Sequence, residues 1–162
     1  MTQTTLPQLA QMMLGVNANE AKRVDVTKMN EDEFAIASEL SEFKACFDNS
    51  YRYLEYTGAT YVLGYVNVGF PIEHAFIKVG DRYIDPTYEV FGIEVSEYYS
   101  VLEVPLSHMF KIVTEISEHT NDIPRAPMLH GLRCHPEYKH KFINQRTQMR
   151  DLLNMNQITV QG

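Results

Sequence analysis

Residues 72–87 read IEHAFIKVGDRYIDPT, and this stretch decides how the middle of the chain folds. Two short runs rich in β-branched and aromatic residues, 72–79 and 82–87, flank Gly80-Asp81. Glycine in the first position of a two-residue loop is typical of a type II′ β-hairpin. The pattern therefore predicts an antiparallel hairpin in which Val79 pairs with Arg82.

The predicted register brings a histidine and an aspartate to the same side of the hairpin. Side chains alternate across a strand, so the opposite, apolar face is predicted to be core. His74 and Asp85 become diagonal neighbours, roughly 7–8 Å apart between backbones. A three-residue loop would shift the register by one and move Asp85 to the wrong face. The face that carries them is predicted to hold His74, Phe76, Lys78, Tyr83 and Asp85.

A cysteine upstream of the hairpin completes a set of reactive groups. Cys46, His74 and Asp85 follow one another in the chain. An imidazole can take the proton of a thiol, and a carboxylate can fix the tautomer and orientation of that imidazole. We therefore predict Cys46 as nucleophile, His74 as general base and then acid, and Asp85 as the carboxylate that orients His74.

Cys46 lies in a stretch with helical periodicity. Asn30 and the acidic residues after it predict a helix start, and Gly58 predicts a stop. One long helix or two abutting helices both fit the pattern between them. A break just before Cys46 would place the thiol at a helix N-terminus, where the helix dipole favours the thiolate.

The order of elements predicts an α+β fold in a single domain, 1–162, with peripheral helical segments at 1–29 and 136–162. Thr5 is expected to cap a helix that ends before Gly15. A later helix is expected to bury Phe110, Val113 and Ile116. The remaining elements are expected to be strands at 60–68 and 98–105, a helix over 107–119, a loop over 120–136 and a helix from Pro136 to about residue 155.

Composition excludes several classes of function. The net charge of −7 argues against binding to a phosphate backbone, so we expect no nucleic-acid partner. The sequence contains no apolar run of the roughly 20 residues that a membrane span needs. Two cysteines do not make a disulfide framework, and reduced thiols are the default in the cytosol. We expect a soluble, cytoplasmic protein; its oligomeric state stays open.

Residues 46–87 resemble the transglutaminase-like group of the papain-like cysteine enzyme superfamily. The resemblance rests on Cys46 in a helix, on the strand motif Val62-Leu63-Gly64-Tyr65-Val66, on His74-Ala75-Phe76 and on Asp85-Pro86-Thr87. It implies a helix bearing the cysteine, packed on a small antiparallel sheet. It also implies a Cys-His-Asp triad and a covalent thioester intermediate.

The resemblance implies a hydrolase or an acyltransferase that needs no cofactor. The substrate would be a protein, a peptide or a small amine or acyl compound, and water or an amine would resolve the thioester. The chain departs from the family in having Phe47 and Asp48 after the cysteine, where an aromatic such as Trp is common. It also lacks a Gln shortly before Cys46, so the backbone N–H groups of Cys46 and its neighbour are the expected oxyanion donors.

Three further residues are candidate substrate contacts. Asn49 lies about one turn from Cys46, where capping or simple solvation is the alternative role. Tyr65 either lines the cleft or packs in the core. Phe76 shares the predicted face of His74.

Two alternatives remain open for the whole chain. A catalytically inactive papain-like scaffold that binds another protein is the first. The second is a small zinc site, but the spacings of His130, Cys134, His135 and His140 fit no common zinc motif, so we predict no metal.

Overall fold

The computed structural model describes residues 3–161, with side chains described as far as Met155. Within this range the chain is α+β, as the sequence predicts. All pairings in the five-stranded sheet are antiparallel. The strands, in the spatial order β1-β5-β2-β3-β4, are β1 (Lys22–Val24), β2 (Thr60–Asn67), β3 (Pro71–Val79), β4 (Arg82–Ile84) and β5 (Tyr98–Pro105).

The α-helices begin and end largely at polar caps and glycines. Thr5 and Asn30 each form a capping box with the residue three positions later, as expected from their side chains. In the described part of the chain, no helix combines the length and the apolar character needed to cross a lipid bilayer. The helices are α1 (Leu6–Leu14), α2 (Glu31–Leu40), α3 (Cys46–Thr57), α4 (Pro86–Val90), α5 (Leu106–Thr120), α6 (Leu129–Cys134) and α7 (Gln145–Gln161).

Both faces of the central hairpin are covered. The face of Ala75 and Ile77 belongs to the larger apolar cluster, to which α3 contributes Leu54. The other face forms a smaller cluster that includes Phe76 and Tyr83. The part of the predicted face that carries His74 and Phe76 is therefore enclosed within the protein, whereas the Lys78 side chain is 30% exposed.

The helix after β5 is confirmed, but one of its predicted core residues is wrong. Val113 and Ile116 are buried, whereas 82% of Phe110 is exposed. The buried stripe of α5 runs through Met109, Ile112, Val113 and Ile116. Phe110 lies about 100° around the helix from Met109, which turns its ring toward solvent.

The C-terminal third also differs from the prediction. The segment expected to be a loop contains α6, and the last helix begins at Gln145 rather than at Pro136. Asn144 supplies the start signal, because its side-chain oxygen accepts a hydrogen bond from the N–H of Arg146 at 2.8 Å. The intervening residues turn instead through a short 3₁₀ helix, Lys139–Lys141.

The N-terminal segment predicted as peripheral and helical also contributes to the sheet and the core. It supplies β1, which pairs with β5 at one edge of the sheet. Ala10 and Val16 are fully buried. The helix α1 packs against β3 and α7, which ties both ends of the described chain to the central hairpin.

Candidate active site

The hairpin has the predicted register. Val79 pairs with Arg82 and Ile77 pairs with Ile84, which leaves Gly80 and Asp81 as the loop. Gly80 has a φ of 59°, a left-handed conformation that glycine adopts without steric cost. Because the register holds, His74 and Asp85 face each other, and Nε2 of His74 lies 2.8 Å from Oδ2 of Asp85.

Asp85 ends the hairpin differently from the prediction, which extended the strand to residue 87. The strand stops at Ile84, and Asp85 is the N-cap of α4. Its Oδ1 accepts a hydrogen bond from the N–H of Tyr88 at 3.0 Å. Its Oδ2 accepts from His74 and, at 2.7 Å, from the hydroxyl of Tyr98. Three donors on three structural elements, α4, β3 and β5, therefore hold this carboxylate in place.

His74 is enclosed by aromatic rings. It is fully buried, and the ring of Tyr88 stacks on it with centroids 4.0 Å apart.

The neighbouring strand β2 supplies Gly64, which pairs with His74. A side chain at Gly64 would put its Cβ 1.8 Å from the carbonyl oxygen of Tyr99. Glycine is needed here because β5 approaches β2 closely at a bulge.

Cys46 is the first residue of α3, so the helical stretch does break just before the thiol. The five residues 41–45 separate α2 from α3. Asn49 holds this loop, because its side chain accepts from the N–H of Glu42 at 2.9 Å and donates to the Glu42 carbonyl at 2.8 Å. The loop also contains Lys44 at a φ of 62°, a strained conformation for a residue with a side chain.

Cys46 lies close enough to the imidazole to influence its protonation. Nδ1 of His74 is buried and has no hydrogen-bond partner of good geometry among the described residues. Burial alone would lower the pKa of His74, but the charge of Asp85 and hydrogen bonding to Asp85 and Cys46 outweigh it and raise the pKa to about 9. The raised pKa favours the protonated form of His74 at neutral pH, with Nε2 held by Asp85.

Two tyrosines lie near enough to Cys46 for its charge to affect their pKa values. Burial raises the pKa of Tyr61, and the charge of Cys46 adds to that rise. Burial and then the charge of Cys46 raise the pKa of Tyr88 in the same way. The hydroxyl of Tyr61 donates to the carbonyl of Pro127 at 2.6 Å. Cys46 itself is half-buried.

The start of α3 offers hydrogen-bond donors beside the thiol. No side chain caps this helix, whose N-cap is Ala45. The first N–H groups of a helix have no intrahelical partner. The backbone N–H groups of Cys46 and Phe47 therefore lack an intrahelical partner, and the helix dipole at this end favours negative charge nearby.

The three predicted substrate contacts are all buried side chains. Asn49 is fully buried and also donates to the Thr87 hydroxyl at 3.0 Å, in addition to its two bonds with Glu42. Tyr65 is fully buried in the larger cluster and stacks on Tyr99. Phe76 shares the face of His74, as predicted, but it too is fully buried.

Sequence reasoning missed Tyr88 and Tyr98. Asp85 followed by Pro86 is a helix start signal, and it predicts that the N–H of Tyr88 meets the aspartate. No local signal identifies Tyr98, because β5 reaches the site through long-range sheet pairing.

A second cluster of potential ligand atoms is not built for a metal ion. Within the described residues, the one group of three that comes together is Glu115, His135 and Glu137, with ligand atoms within 4.8 Å of one another. Nδ1 of His135 accepts from the N–H of Glu137, and Nε2 lies 2.6 Å from Glu115. Because Nδ1 accepts a hydrogen bond, the proton of the neutral ring lies on Nε2. A metal ion bound to Nε2 would move that proton to Nδ1, where it would point at the N–H of Glu137.

Comparisons of the chain with protein-family models, with curated proteins and with solved structures found no match.

Proposed function

We propose that the chain is a cysteine-dependent hydrolase or acyltransferase of the papain-like, transglutaminase-like kind. The observation that carries the proposal is the convergence of three side chains distant in sequence. Asp85 holds one nitrogen of the buried His74 ring, and Cys46 adjoins the ring from the start of α3. A buried imidazole with one nitrogen held by a carboxylate is suited to exchange protons at the other.

The proposed reaction begins with the proton of Cys46 on Nδ1 of His74. The sulfur attacks the carbonyl carbon of an amide or thioester, a C–S bond forms, and the electron pair of the C=O π bond moves to oxygen. The N–H groups at the start of α3 stabilise this oxyanion. When the oxyanion collapses, the bond to the leaving group breaks, and the leaving group takes the proton from Nδ1. A thioester on Cys46 remains.

In the second half of the reaction, water or an amine gives a proton to Nδ1 and attacks the thioester. The C–S bond breaks, and sulfur leaves as the thiolate paired with the imidazolium of His74. Water yields an acid, and an amine yields a new amide. Asp85 accepts the hydrogen bond from Nε2 throughout and keeps the ring oriented.

The test uses the second cysteine of the chain as an internal reference. Cys134 is exposed, whereas Cys46 is half-buried. With iodoacetamide at pH 6.5, peptide mass spectrometry is expected to show Cys46 reacting about tenfold faster than Cys134. In the His74→Gln variant, Cys46 should no longer react faster than Cys134. An acyl group trapped on Cys46 from p-nitrophenyl acetate would extend the result to acyl transfer.

The opposite outcome favours the inactive scaffold. If Cys46 reacts more slowly than Cys134 at every pH, and His74→Gln changes nothing, the chain does not activate its thiol. It would then act through its surface as a protein-binding module. We also propose a cytoplasmic location, which the two free cysteines support.

A further inference from the structure

Two phenylalanine rings stand exposed beside the candidate site. Phe43 is 60% exposed and Phe91 is 37% exposed. Their ring centroids lie 5.4 Å apart at an interplanar angle of 66°, an edge-to-face contact. The Phe43–Phe91 pair is therefore an organised apolar surface rather than two isolated exposed side chains.

The pair is joined to the reactive groups through two chain segments. Phe43 precedes Cys46 by three residues, so their Cα atoms lie within about 11 Å. Phe91 ends α4, one helical turn after Tyr88, and Tyr88 stacks on the His74 ring. The apolar surface is therefore tied by short chain segments to both the thiol and the imidazole, with the Cα of Phe43 within about 11 Å of that of Cys46.

The segment that carries Phe43 is held rigidly although its ring is exposed. Asn49 bonds both the N–H and the carbonyl of Glu42, the residue before Phe43. Lys44, the residue after it, is in a left-handed conformation and places its ammonium group 5.5 Å from the Phe43 ring centroid. A fixed exposed ring loses little conformational entropy on binding, which suits it to contact a ligand.

We propose that the Phe43–Phe91 pair binds an apolar side chain of the acyl donor, next to the carbonyl that Cys46 attacks. The inference rests on the proposed function and adds a substrate class to it: acyl donors with an aromatic or bulky aliphatic group close to the reacting carbonyl. The free energy comes from burying that group against two rings.

The test compares two alkylating reagents with the same electrophile. N-benzyl iodoacetamide carries an aromatic group that iodoacetamide lacks. The quantity measured is the ratio of the two rate constants at Cys46, divided by the same ratio at the exposed Cys134 of the same molecule. We expect this selectivity to be about tenfold in favour of the benzyl reagent in the unmodified chain.

The variants Phe43→Ala and Phe91→Ala are each expected to lower the selectivity at least about threefold. Phe110→Ala is the matched control, because it removes an exposed phenylalanine from α5. Two variants are used so that, if one fails to fold, the other still tests the inference. Circular dichroism and the unfolding midpoint identify any variant that is misfolded.

Three outcomes would overturn the inference, and they are distinguishable. If Cys46 is reactive but prefers the benzyl reagent no more than Cys134 does, the proposed function stands and the apolar subsite is excluded. A Cys46 inert to both reagents would overturn the proposed function and this inference together. Self-association that disappears in both phenylalanine variants, without any reagent selectivity, would assign the pair to an interface between copies of the chain.

Discussion

The chain contains two buried histidines that each meet a carboxylate, and they differ at the other ring nitrogen. Nε2 of His74 lies 2.8 Å from Asp85, and Nε2 of His135 lies 2.6 Å from Glu115. Nδ1 of His135 accepts the N–H of Glu137, so both of its nitrogens are used. Nδ1 of His74 has no such partner among the described residues, and the ring is influenced by the nearby Cys46. A histidine–carboxylate pair is therefore equipped for proton transfer only when its second nitrogen is free.

The two carboxylates and the two cysteines differ as well. The Asp85 side chain is 2% exposed, while the Glu115 side chain is 30% exposed. Cys134 directly precedes His135 in the sequence, yet it is exposed at the end of α6. Cys46 is far from His74 in the sequence, but the fold brings them together. Neighbouring positions in the chain are therefore a poor guide to which thiol meets which imidazole.

The largest expected effect comes from replacing each histidine in turn. His74→Gln should lower the rate of acylation of Cys46 by p-nitrophenyl acetate about 10³-fold, because the proton acceptor is lost. His135→Gln should leave that rate unchanged and lower the free energy of unfolding by about 2 kcal/mol, because a buried hydrogen-bonded pair is broken. Equal losses of rate in the two variants, measured on folded protein, would contradict the distinction between the pairs.

The carboxylates provide the second comparison. Asp85→Asn should lower the acylation rate at pH 7 about 10²-fold. Burial opposes the protonated form of His74, so without the Asp85 charge the pKa of His74 should fall from about 9 to below its ordinary value of about 6.5. Titration of the His74 ring by NMR measures this shift. Glu115→Gln is the control and should change neither the rate nor the pKa of His74.

The same pair predicts how stability depends on pH. The pKa of His74 is higher in the folded chain than in the unfolded chain, so the native state binds this proton more tightly. The stabilisation of the folded chain by the proton on His74 is complete below pH 6.5 and is lost as the pH rises through about 9. Urea midpoints measured from pH 6 to 10 should fall over this window in the unmodified chain. In the His74→Gln variant the urea midpoint should not fall over this pH range. If it falls by the same amount as in the unmodified chain, groups other than His74 cause the pH dependence.

Asn49→Ala is expected to have an intermediate effect. It removes the two bonds that hold the loop 41–45 and leaves the Thr87 hydroxyl without that donor. We expect a loss of about 2–3 kcal/mol in the free energy of unfolding and a fall of about tenfold in the alkylation rate of Cys46. Asn144→Ala, which removes a local bond at the start of α7, is the control and should leave Cys46 unaffected. An unchanged Cys46 in Asn49→Ala would show that the loop does not position the thiol.

The smallest expected effect is that of Tyr98→Phe. It removes one of the two donors on Oδ2 of Asp85 and keeps the ring that packs on Phe76. The carboxylate charge then acts more fully on His74, so the pKa of His74 should rise above about 9 and the acylation rate should change about threefold. Tyr99→Phe, whose hydroxyl bonds Glu97, is the matched control. A pKa of His74 that stays unchanged in Tyr98→Phe would exclude a positioning role.

Local sequence signals predicted much of this arrangement. Gly80-Asp81 set the hairpin register, and with it the pairing of His74 with Asp85. The caps at Thr5 and Asn30 and the stop at Gly58 were also readable, because each depends on the conformation of a few adjacent residues. The break before Cys46 remained one of two options, since a helical period runs through both α2 and α3.

The amino-acid sequence by itself determined the hairpin and the presence of a thiol, an imidazole and a carboxylate, because turn chemistry and side-chain alternation act over a few residues. Only the tertiary structure decided which atoms meet. The clamp of Asn49 on Glu42, the hydroxyl of Tyr98 on Asp85 and the free Nδ1 of His74 depend on contacts between elements distant in the chain. Such contacts do not produce a recognisable sequence pattern, because they depend on how distant elements pack together and not on the conformation of neighbouring residues.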